Sequence, residues 1–463
     1  MKKYGLILAA GKGTRMHSDL PKCGYPILRK PMIEYIVENM EHSLIDEVVV
    51  VVGHKKEYIQ DILKDRVKYA VQEEQLGTGH AVLQTEDILA NKEGYTYIIP
   101  GDVPLINKDV INKILSAHEE MGNDLTVVSM VVEYPKGYGR ILRDEYGTII
   151  SIVEENDANE YEKAIKEVNT GIYVVDNKKM FNVLSKIKMN ERKNEYYLTD
   201  MVELMARDYK VNSFKVRDPH ITMGVNDLYG ISVAERHLRE EINREHMLKG
   251  VSIVNPETVT IGHSVKIERG SVIFPNTTIT GDTIIHANAT IGPNTEIHNS
   301  EIRENVEVRH SYVYDSFVGK NSTVGPFAHI RQNSVIGEKN RIGNFVEVKN
   351  TKIGNKTSAA HLAYIGDGEV GNNVNFGCGS VTVNYDGKLK HKTIIGDDVF
   401  IGCNVNLIAP ITIGDNVFLA AGSTVTLDVP SGSMAIARNR QINKEDYSKH
   451  LIQPKSKTEK DES

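Results

Sequence analysis

The chain has 463 residues, a net charge of -7, three Cys and no Trp. That length accommodates two or three domains, and the interspersed charge, with a Lys-rich stretch only at the tail, excludes the nucleic-acid-binding class. Cys23, Cys378 and Cys403 lie too far apart for a metal cluster or disulfide framework and fit a reducing, cytoplasmic setting, and no apolar run approaches the ~18 residues of a membrane span.

The opening run 1–10 is too short for a secretory signal and meets Gly11-Lys12-Gly13-Thr14-Arg15 at once, so it predicts a buried first strand. Apolar or β-branched runs at 6–10, 48–52, 97–100, 125–132 and 171–175 predict further strands, and 32–40, 81–89 and 108–118 predict helices. Their alternation predicts an α/β, Rossmann-like domain over 1–226 with a mostly parallel sheet. In 227–250, Leu228, Ile231, Ala234, Leu238 and Ile242 keep a spacing of three or four, which predicts one amphipathic linking helix.

A different period follows. Ile261, Ile267, Ile273, Ile279, Ile285, Ile291 and Ile297 recur every sixth residue. A chance run of seven arises about once in 10^5 starting points at ordinary aliphatic usage. Four residues after each of the first six comes Val265, Ser271, Thr277, Thr283, Ala289 or Thr295. Such a repeat predicts a parallel β-helix with a triangular coil over 251–437. The period is less regular over 300–315, resumes from Val318, and breaks at 382–391, a polar stretch that should leave the prism as a loop. Residues 438–463 form a tail, solvated from Lys455 onward.

Two groups of residues point to chemistry. Leu8-Ala9-Ala10-Gly11-Lys12-Gly13-Thr14-Arg15-Met16, with Lys22, follows the first strand. Glycines let backbone N–H groups approach an anion, and Arg15 and Lys22 neutralise phosphate charge. A lone glycine turn also joins strands to helices without function, and this one lacks the dinucleotide Gly-x-Gly-x-x-Gly. Gln72, Gln75, Gly77 and Thr78 suit a nucleobase edge, and Asp102 follows a strand end, where open α/β sheets bind ligands. In the repeat domain His361 is accompanied by Arg331, Lys349, Tyr364, Asn375, Asn384, Tyr385 and Arg438.

These motifs, in this order over about 1–450, resemble the sugar-1-phosphate nucleotidyltransferases, and among them the bifunctional bacterial N-acetylglucosamine-1-phosphate uridyltransferases/glucosamine-1-phosphate acetyltransferases. The resemblance implies a left-handed coil, UTP, acetyl-CoA and glucosamine-1-phosphate as substrates, Mg2+ as cofactor, and a homotrimer built on the β-helix. It makes Arg15 and Lys22 the triphosphate-facing pair and Asp102 with Asn226 the Mg2+ ligands. Leu8, Ala9, Ala10, Gly11, Gly13, Lys22, Gln72, Gly77, Thr78, Gly139, Glu154, Asn169 and Asn226 would hold the uridine nucleotide and sugar, and segment 195–200 fits too. Cys23-Gly24-Tyr25 departs from the aliphatic residues expected after Lys22, which puts the packing there in doubt.

In the second half the resemblance makes His361 the general base for the glucosamine amine, a role worth about 10^2–10^4 in rate. Arg331, Lys349, Tyr364 and Asn375 would hold the sugar phosphate. Asn384 and Tyr385 would orient the amine beside acetyl-CoA, which would lie along Cys378, Cys403, Ala421 and Arg438, near Lys390 and Lys392. The two cysteines are expected as small packing residues, not nucleophiles. One alternative is a single-activity nucleotidyltransferase with a non-catalytic, oligomerising β-helix; it gives His361, Lys349 and Asn384-Tyr385 no purpose. A non-enzymatic scaffold would leave Lys22 and the Asp102/Asn226 pair unexplained.

Overall fold

Leu6 and Ile7 point to opposite faces of one strand, and the first half of the chain is built on that alternation. A computed structural model describes residues 1–11, 13–191 and 194–451; the expected solvated stretch 455–463 lies outside the described residues. The chain divides into two compact units, one holding Met1–Leu248 with Asn255–Ser264, the other Lys249–Val254 with Val265–Ser463.

In the first unit the sheet order is Val211–Lys215, Leu125–Val131, Glu167–Asp176, Tyr95–Pro100, Lys3–Ala9, Glu47–Val52, Lys68–Val71. Lys3–Ala9 pairs in parallel with Glu47–Val52 and Tyr95–Pro100, so the opening run is a central strand. Only Glu167–Asp176 of this path runs antiparallel, against both of its neighbours. Leu6, Val49 and Ile98 enter one core with Met180, Phe181 and Met201; Ile7, Val50 and Ile99 enter a second with Ile33, Ile36, Ile111 and Ile114. Helices therefore cover both faces, as parallel sheets require.

The sequence pattern missed Lys68–Val71 and Val211–Lys215, the two ends of the sheet. Edge strands bury less and carry polar residues, so their apolar signal is weak. The expected helix 81–89 is two pieces, Thr78–Leu83 and Glu86–Leu89. Thr85 Oγ1 donates to the Val82 carbonyl at the break, the kind of local bond that competes with a helical one.

The second unit stacks short parallel strands. Ile267 pairs with Ile285, Ile273 with Ile291 and Ile279 with Ile297, so residues 18 apart in sequence are neighbours and three six-residue sides make one coil. These isoleucines and the small residues Ser271, Thr277, Thr283, Ala289 and Thr295 are buried. Asn276, Asn288 and Asn294 take positive φ at the corners, a conformation asparagine tolerates better than most residues. Through 300–315 the prism continues with shorter coils: Asn299 and Asp315, 16 apart, are joined side chain to side chain. The excursion is narrower than the polarity implied. Thr382 and Val383 stay in the coil, paired with Leu407 and Ile408, and the chain leaves after them and rejoins at Thr393.

Candidate active sites

The register of the parallel strands builds the first site. Leu8 lies beside Pro100, Ala9 beside Val52, and Val52 beside Val71. The glycine loop, Asp102 and Gln72 therefore emerge together at the C-terminal edge of the sheet, where ligands gather in such folds. They open onto a cavity of about 590 Å3 lined by Leu8, Ala10, Gly11, Lys22, Gln72, Gly77, Thr78, Asp102, Glu154 and Asn169 among others.

Gly13 has φ of +64°, and a Cβ there would lie 2.5 Å from Lys22 Cβ, so glycine lets the loop close on the Lys22 stem. Lys22 Nζ donates to the Asp102 carboxylate and, at 2.7 Å, to Asn226 Oδ1. The same oxygen accepts from Arg15 at 2.8 Å. Thus residues more than 200 apart in sequence form one cluster of two cations, a carboxylate and an amide oxygen. A divalent metal fits this pair of oxygens, because both already face a cation and both are hard donors. Among the described residues no group of three or more His, Cys, Asp or Glu could hold a metal, so the remaining ligands would be substrate oxygens and water.

Glu154 lines the same cavity, and Asp200 lies just beyond its lining residue Thr199. Glu154 accepts from Thr199 Oγ1 at 3.1 Å, and burial raises its carboxyl above the ordinary range. Burial, then Glu203, Glu154 and Asp157, push Asp200 up to about 6. Asn169 donates to Tyr173 Oη at 2.7 Å, and its N–H to the Gly139 carbonyl at 2.8 Å. Gly77 has φ of +100°, and a Cβ there would meet the Tyr196 carbonyl at 2.6 Å. The nucleobase-like turn is therefore packed on segment 195–199. Gln72 is buried and its amide donates to the Gly77 carbonyl, so it shapes that turn. Ala9, by contrast, sends its side chain into the opposite core. Gly13, Gly139, Arg15 and Asn226 flank the cavity and do not line it. Cys23 resolves the doubt over Cys23-Gly24-Tyr25: it is buried in the core behind Lys22, and burial pushes its thiol up to about 12.

The second site follows from coil register. Asn344 pairs with His361 on the next coil, and His361 Nδ1 meets Asn344 Oδ1 at 2.9 Å. An amide oxygen only accepts, so Nδ1–H is the donor, and in the neutral imidazole Nε2 carries the lone pair. Asn384 lies just after Val383; it donates to Asp367 Oδ2 at 2.5 Å and to Tyr364 Oη at 3.3 Å. The neighbouring Lys349 lowers the Lys390 ammonium below its usual range. Both line an open cavity of about 730 Å3 with Asp367 and Lys392. Arg331 is paired with Glu347 at 2.6 Å.

Not every predicted residue converges. His361, Arg331, Tyr364 and Asn375 do not line that cavity, and Tyr385 is exposed on the excursion, its hydroxyl donating to the Gly387 carbonyl. Arg438 packs over Gly422, next to Ala421. Cys378 and Cys403, expected as small packing residues, are both exposed, because their places lie beyond the inward-facing Phe376 and Ile401. Asn344 and Asp367 were given no role from sequence, and Thr199 only as part of segment 195–200. Asn344 had a signal, since it lies one coil, 17 residues, before His361.

Comparison with known proteins agrees with this division. Residues 4–219 match the nucleotidyl transferase model, 254–365 the GMPPB C-terminal domain and 392–426 six repeats of the bacterial transferase hexapeptide. The bifunctional protein GlmU of Acholeplasma laidlawii is 63% identical over 99% of this chain and 100% of its own length. Those of Thermoanaerobacter pseudethanolicus and a Geobacillus species are 49% and 47% identical, each covering 96% of this chain and 98% of the relative. With both halves matched in order along nearly its whole length, the chain belongs to the family of bifunctional GlmU proteins.

Proposed function

We propose that residues 1–226 carry uridylyl transfer, that 251–437 carry acetyl transfer, and that the named clusters are their reaction centres. The chain is a bifunctional transferase. It moves acetyl from acetyl-CoA to glucosamine-1-phosphate, then joins N-acetylglucosamine-1-phosphate to UMP from UTP, releasing pyrophosphate. The single-activity alternative is not favoured, since bifunctional relatives match the whole chain.

For uridylyl transfer the protein needs mainly to align two anions and screen charge. The sugar phosphate oxygen attacks the α-phosphorus of UTP; it is already anionic, so no base is required. Arg15 and Lys22 screen the triphosphate, and the Gly11–Gly13 turn brings backbone N–H groups near it. Gln72, Gly77 and Thr78 read uracil. Asn169, Glu154 and Gly139 line the sugar, with Glu154 accepting hydrogen bonds from its hydroxyl or amide groups. Asp102 and Asn226 would hold Mg2+, which when bound neutralises triphosphate charge.

For acetyl transfer the observation that carries the reading is the His361–Asn344 hydrogen bond. It leaves Nε2 to take the proton of the attacking amine. Lys349, Tyr364, Arg331 and Asn375 would bind the sugar phosphate. Asn384 and Tyr385 would orient the amine, and acetyl-CoA would run past Cys378, Cys403, Ala421 and Arg438. A homotrimer is supported by a corner beside His361. Phe327, Phe345 and Leu362 are each more than half exposed, and all take positive φ. The two Phe rings stack 5.5 Å apart. Bulky residues in that conformation cost about 1–3 kcal/mol each, so an apolar column kept there argues for a second copy against it. No described helix is long and apolar enough to cross a membrane, which accords with a cytoplasmic enzyme.

The test uses glucosamine-1-phosphate, acetyl-CoA, UTP and Mg2+, following free thiol and pyrophosphate separately. His361→Ala should lower acetyl transfer by about 10^2–10^4 and spare uridylyl transfer from supplied N-acetylglucosamine-1-phosphate. Asp102→Ala should do the reverse. Loss of both activities in either well-folded variant would falsify the two-centre assignment.

A further inference from the structure

Two thiols that the proposed chemistry does not use stand side by side. Asn375 pairs with Phe400 and Phe376 with Ile401, and the register continues: Gly377 N–H donates to the Ile401 carbonyl and Asn404 N–H to the Cys378 carbonyl, both at 2.8 Å. Cys378 and Cys403 are therefore opposite each other on adjacent coils. Both are exposed. Neighbouring strands lie about 4.8 Å apart, within the roughly 4.4–6.8 Å between Cα atoms that a disulfide spans. The same register sets His361 opposite Cys378 one coil earlier, since Ala359 pairs with Phe376 and Gly379 N–H donates to the Leu362 carbonyl. On the other side Gly422 N–H donates to the Cys403 carbonyl, which places Ala421 next. Asn344, His361, Cys378, Cys403 and Ala421 thus form one column, one residue per coil.

We propose that Cys378 and Cys403 are a paired-thiol modification site, closed to a disulfide by oxidised low-molecular-weight thiols, and that closure blocks acetyl transfer. The thiolate of one cysteine attacks the small disulfide R–S–S–R, forming a mixed disulfide and releasing RSH. The thiolate of the other attacks the protein sulfur of that mixed disulfide, forming the Cys378–Cys403 bond and releasing the second RSH. Two protein thiols are oxidised, one small disulfide is reduced, and both protons leave on the released thiols. The effect on activity rests on the reading that acetyl-CoA passes this column; the bridge itself does not.

The experiment treats the full chain with glutathione disulfide and counts thiols before and after denaturation. Untreated protein should show two accessible thiols and a third on unfolding, because Cys23 is buried. Treated protein should show none when native and one when unfolded, with peptide mapping joining Cys378 to Cys403 within one chain. Acetyl transfer should fall by about tenfold or more, return with dithiothreitol, and leave uridylyl transfer unchanged. In Cys378→Ala, relative to its own untreated activity, Cys403 should stop at the glutathione adduct. Glutathione adducts persisting on both cysteines of the unmutated chain, cross-linked chains, or unreacted thiols overturn the pairing and leave the donor reading standing. A bridge that forms while acetyl transfer continues overturns the block and places the donor elsewhere.

Discussion

On the proposed assignment of Asp102 and Asn226 to the divalent cation, Lys22 contacts the same oxygens, and that predicts a competition readable without any turnover. Its ammonium contacts the Asp102 carboxylate and Asn226 Oδ1, and the Lys22 and Asp102 side chains are only 15% and 18% exposed. A metal at those oxygens would compete with the ammonium for Asp102 Oδ2 and Asn226 Oδ1. At about 4 Å and an effective dielectric near 20, two unit charges interact by ~4 kcal/mol. The water regained by a displaced ammonium offsets much of that, leaving about 1–3 kcal/mol, or 5- to 150-fold in affinity. Lys22→Met should therefore tighten Mn2+ binding to the nucleotide-free protein by that factor, while UTP binding weakens. Paramagnetic titration of Mn2+ against the two proteins measures it. Asp102→Asn should weaken Mn2+ binding in both backgrounds. Equal affinity of unmutated protein and Lys22→Met would refute the reasoning, since the oxygens that face Lys22 would then not be the metal's.

With His361 as the proposed base, Asn344 would position it through the Nδ1 contact. Asn344→Ala should cut the kcat of acetyl transfer about 10- to 100-fold, as loss of an imidazole's orienting partner does, with KM little changed. Asn344→Asp should move the acidic limb of the pH–rate profile upward, because a nearby carboxylate favours the protonated, inactive imidazole; an unmoved limb would remove Asn344 from the site. His118 is buried, with Nδ1 2.8 Å from Thr126 Oγ1 and Nε2 unpartnered, and burial lowers its pKa from 6.5 to about 4. The unfolded chain therefore binds a proton below about 6.5 that the folded one refuses until about 4. Its contribution is complete above pH 6.5 and declines between those values, by up to roughly 3 kcal/mol at about 1.4 per pH unit. Urea midpoints at pH 4.5 and 7.5 should differ less in His118→Gln than in the unmutated protein. Ile285 is fully buried between Ile267 and Ile302. Ile285→Ala should cost about 2–5 kcal/mol, so acetyl transfer should fail on heating before uridylyl transfer; simultaneous loss would contradict separate units.

The β-helix was legible because every side of every coil faces the same core, so the six-residue period of Ile267, Ile273 and Ile279 is written directly in the chain. The column running through His361 was not. Its members sit 17 apart between Asn344 and His361, but coils elsewhere run to 16 or 18 residues, and the excursion stretches the step to 25, as between Asn372 and Asp397. Counting back one coil of 17 residues reaches Asn344 from His361, but the same count fails across the excursion, where the step is 25. In the first unit, central strands such as Glu47–Val52 announce themselves by continuous burial, whereas the polar edge strands do not. The Lys22–Asp102–Asn226 cluster joins three distant segments, and only strand register shows that they meet; resemblance supplied the residues, geometry the contacts.

The first cavity also has a direction, and its charge explains it. Lys22, with Arg15 flanking it, brings cations to the cavity, and Glu154 lines it too, its carboxyl raised by burial and by Asp157. Burial disfavours the charged form of the Glu154 carboxyl, so a second anion placed beside it would cost more still. A sugar phosphate entering such a cavity has one favourable orientation. Its phosphate is repelled by the Glu154 carboxylate and drawn to the cations, while its hydroxyl and amide N–H groups can donate to Glu154. The same polarity excludes the reversed pose, in which phosphate would face Glu154 within a site of low dielectric. On the proposed assignment Glu154 would orient the substrate through hydrogen bonding and repulsion, without removing a proton. Glu154→Gln keeps the acceptor oxygen and removes the charge, so it should preserve most uridylyl transfer from the correct sugar while weakening discrimination against other anions. Loss of turnover by several orders of magnitude at unchanged KM would instead make Glu154 a base and contradict the orienting role.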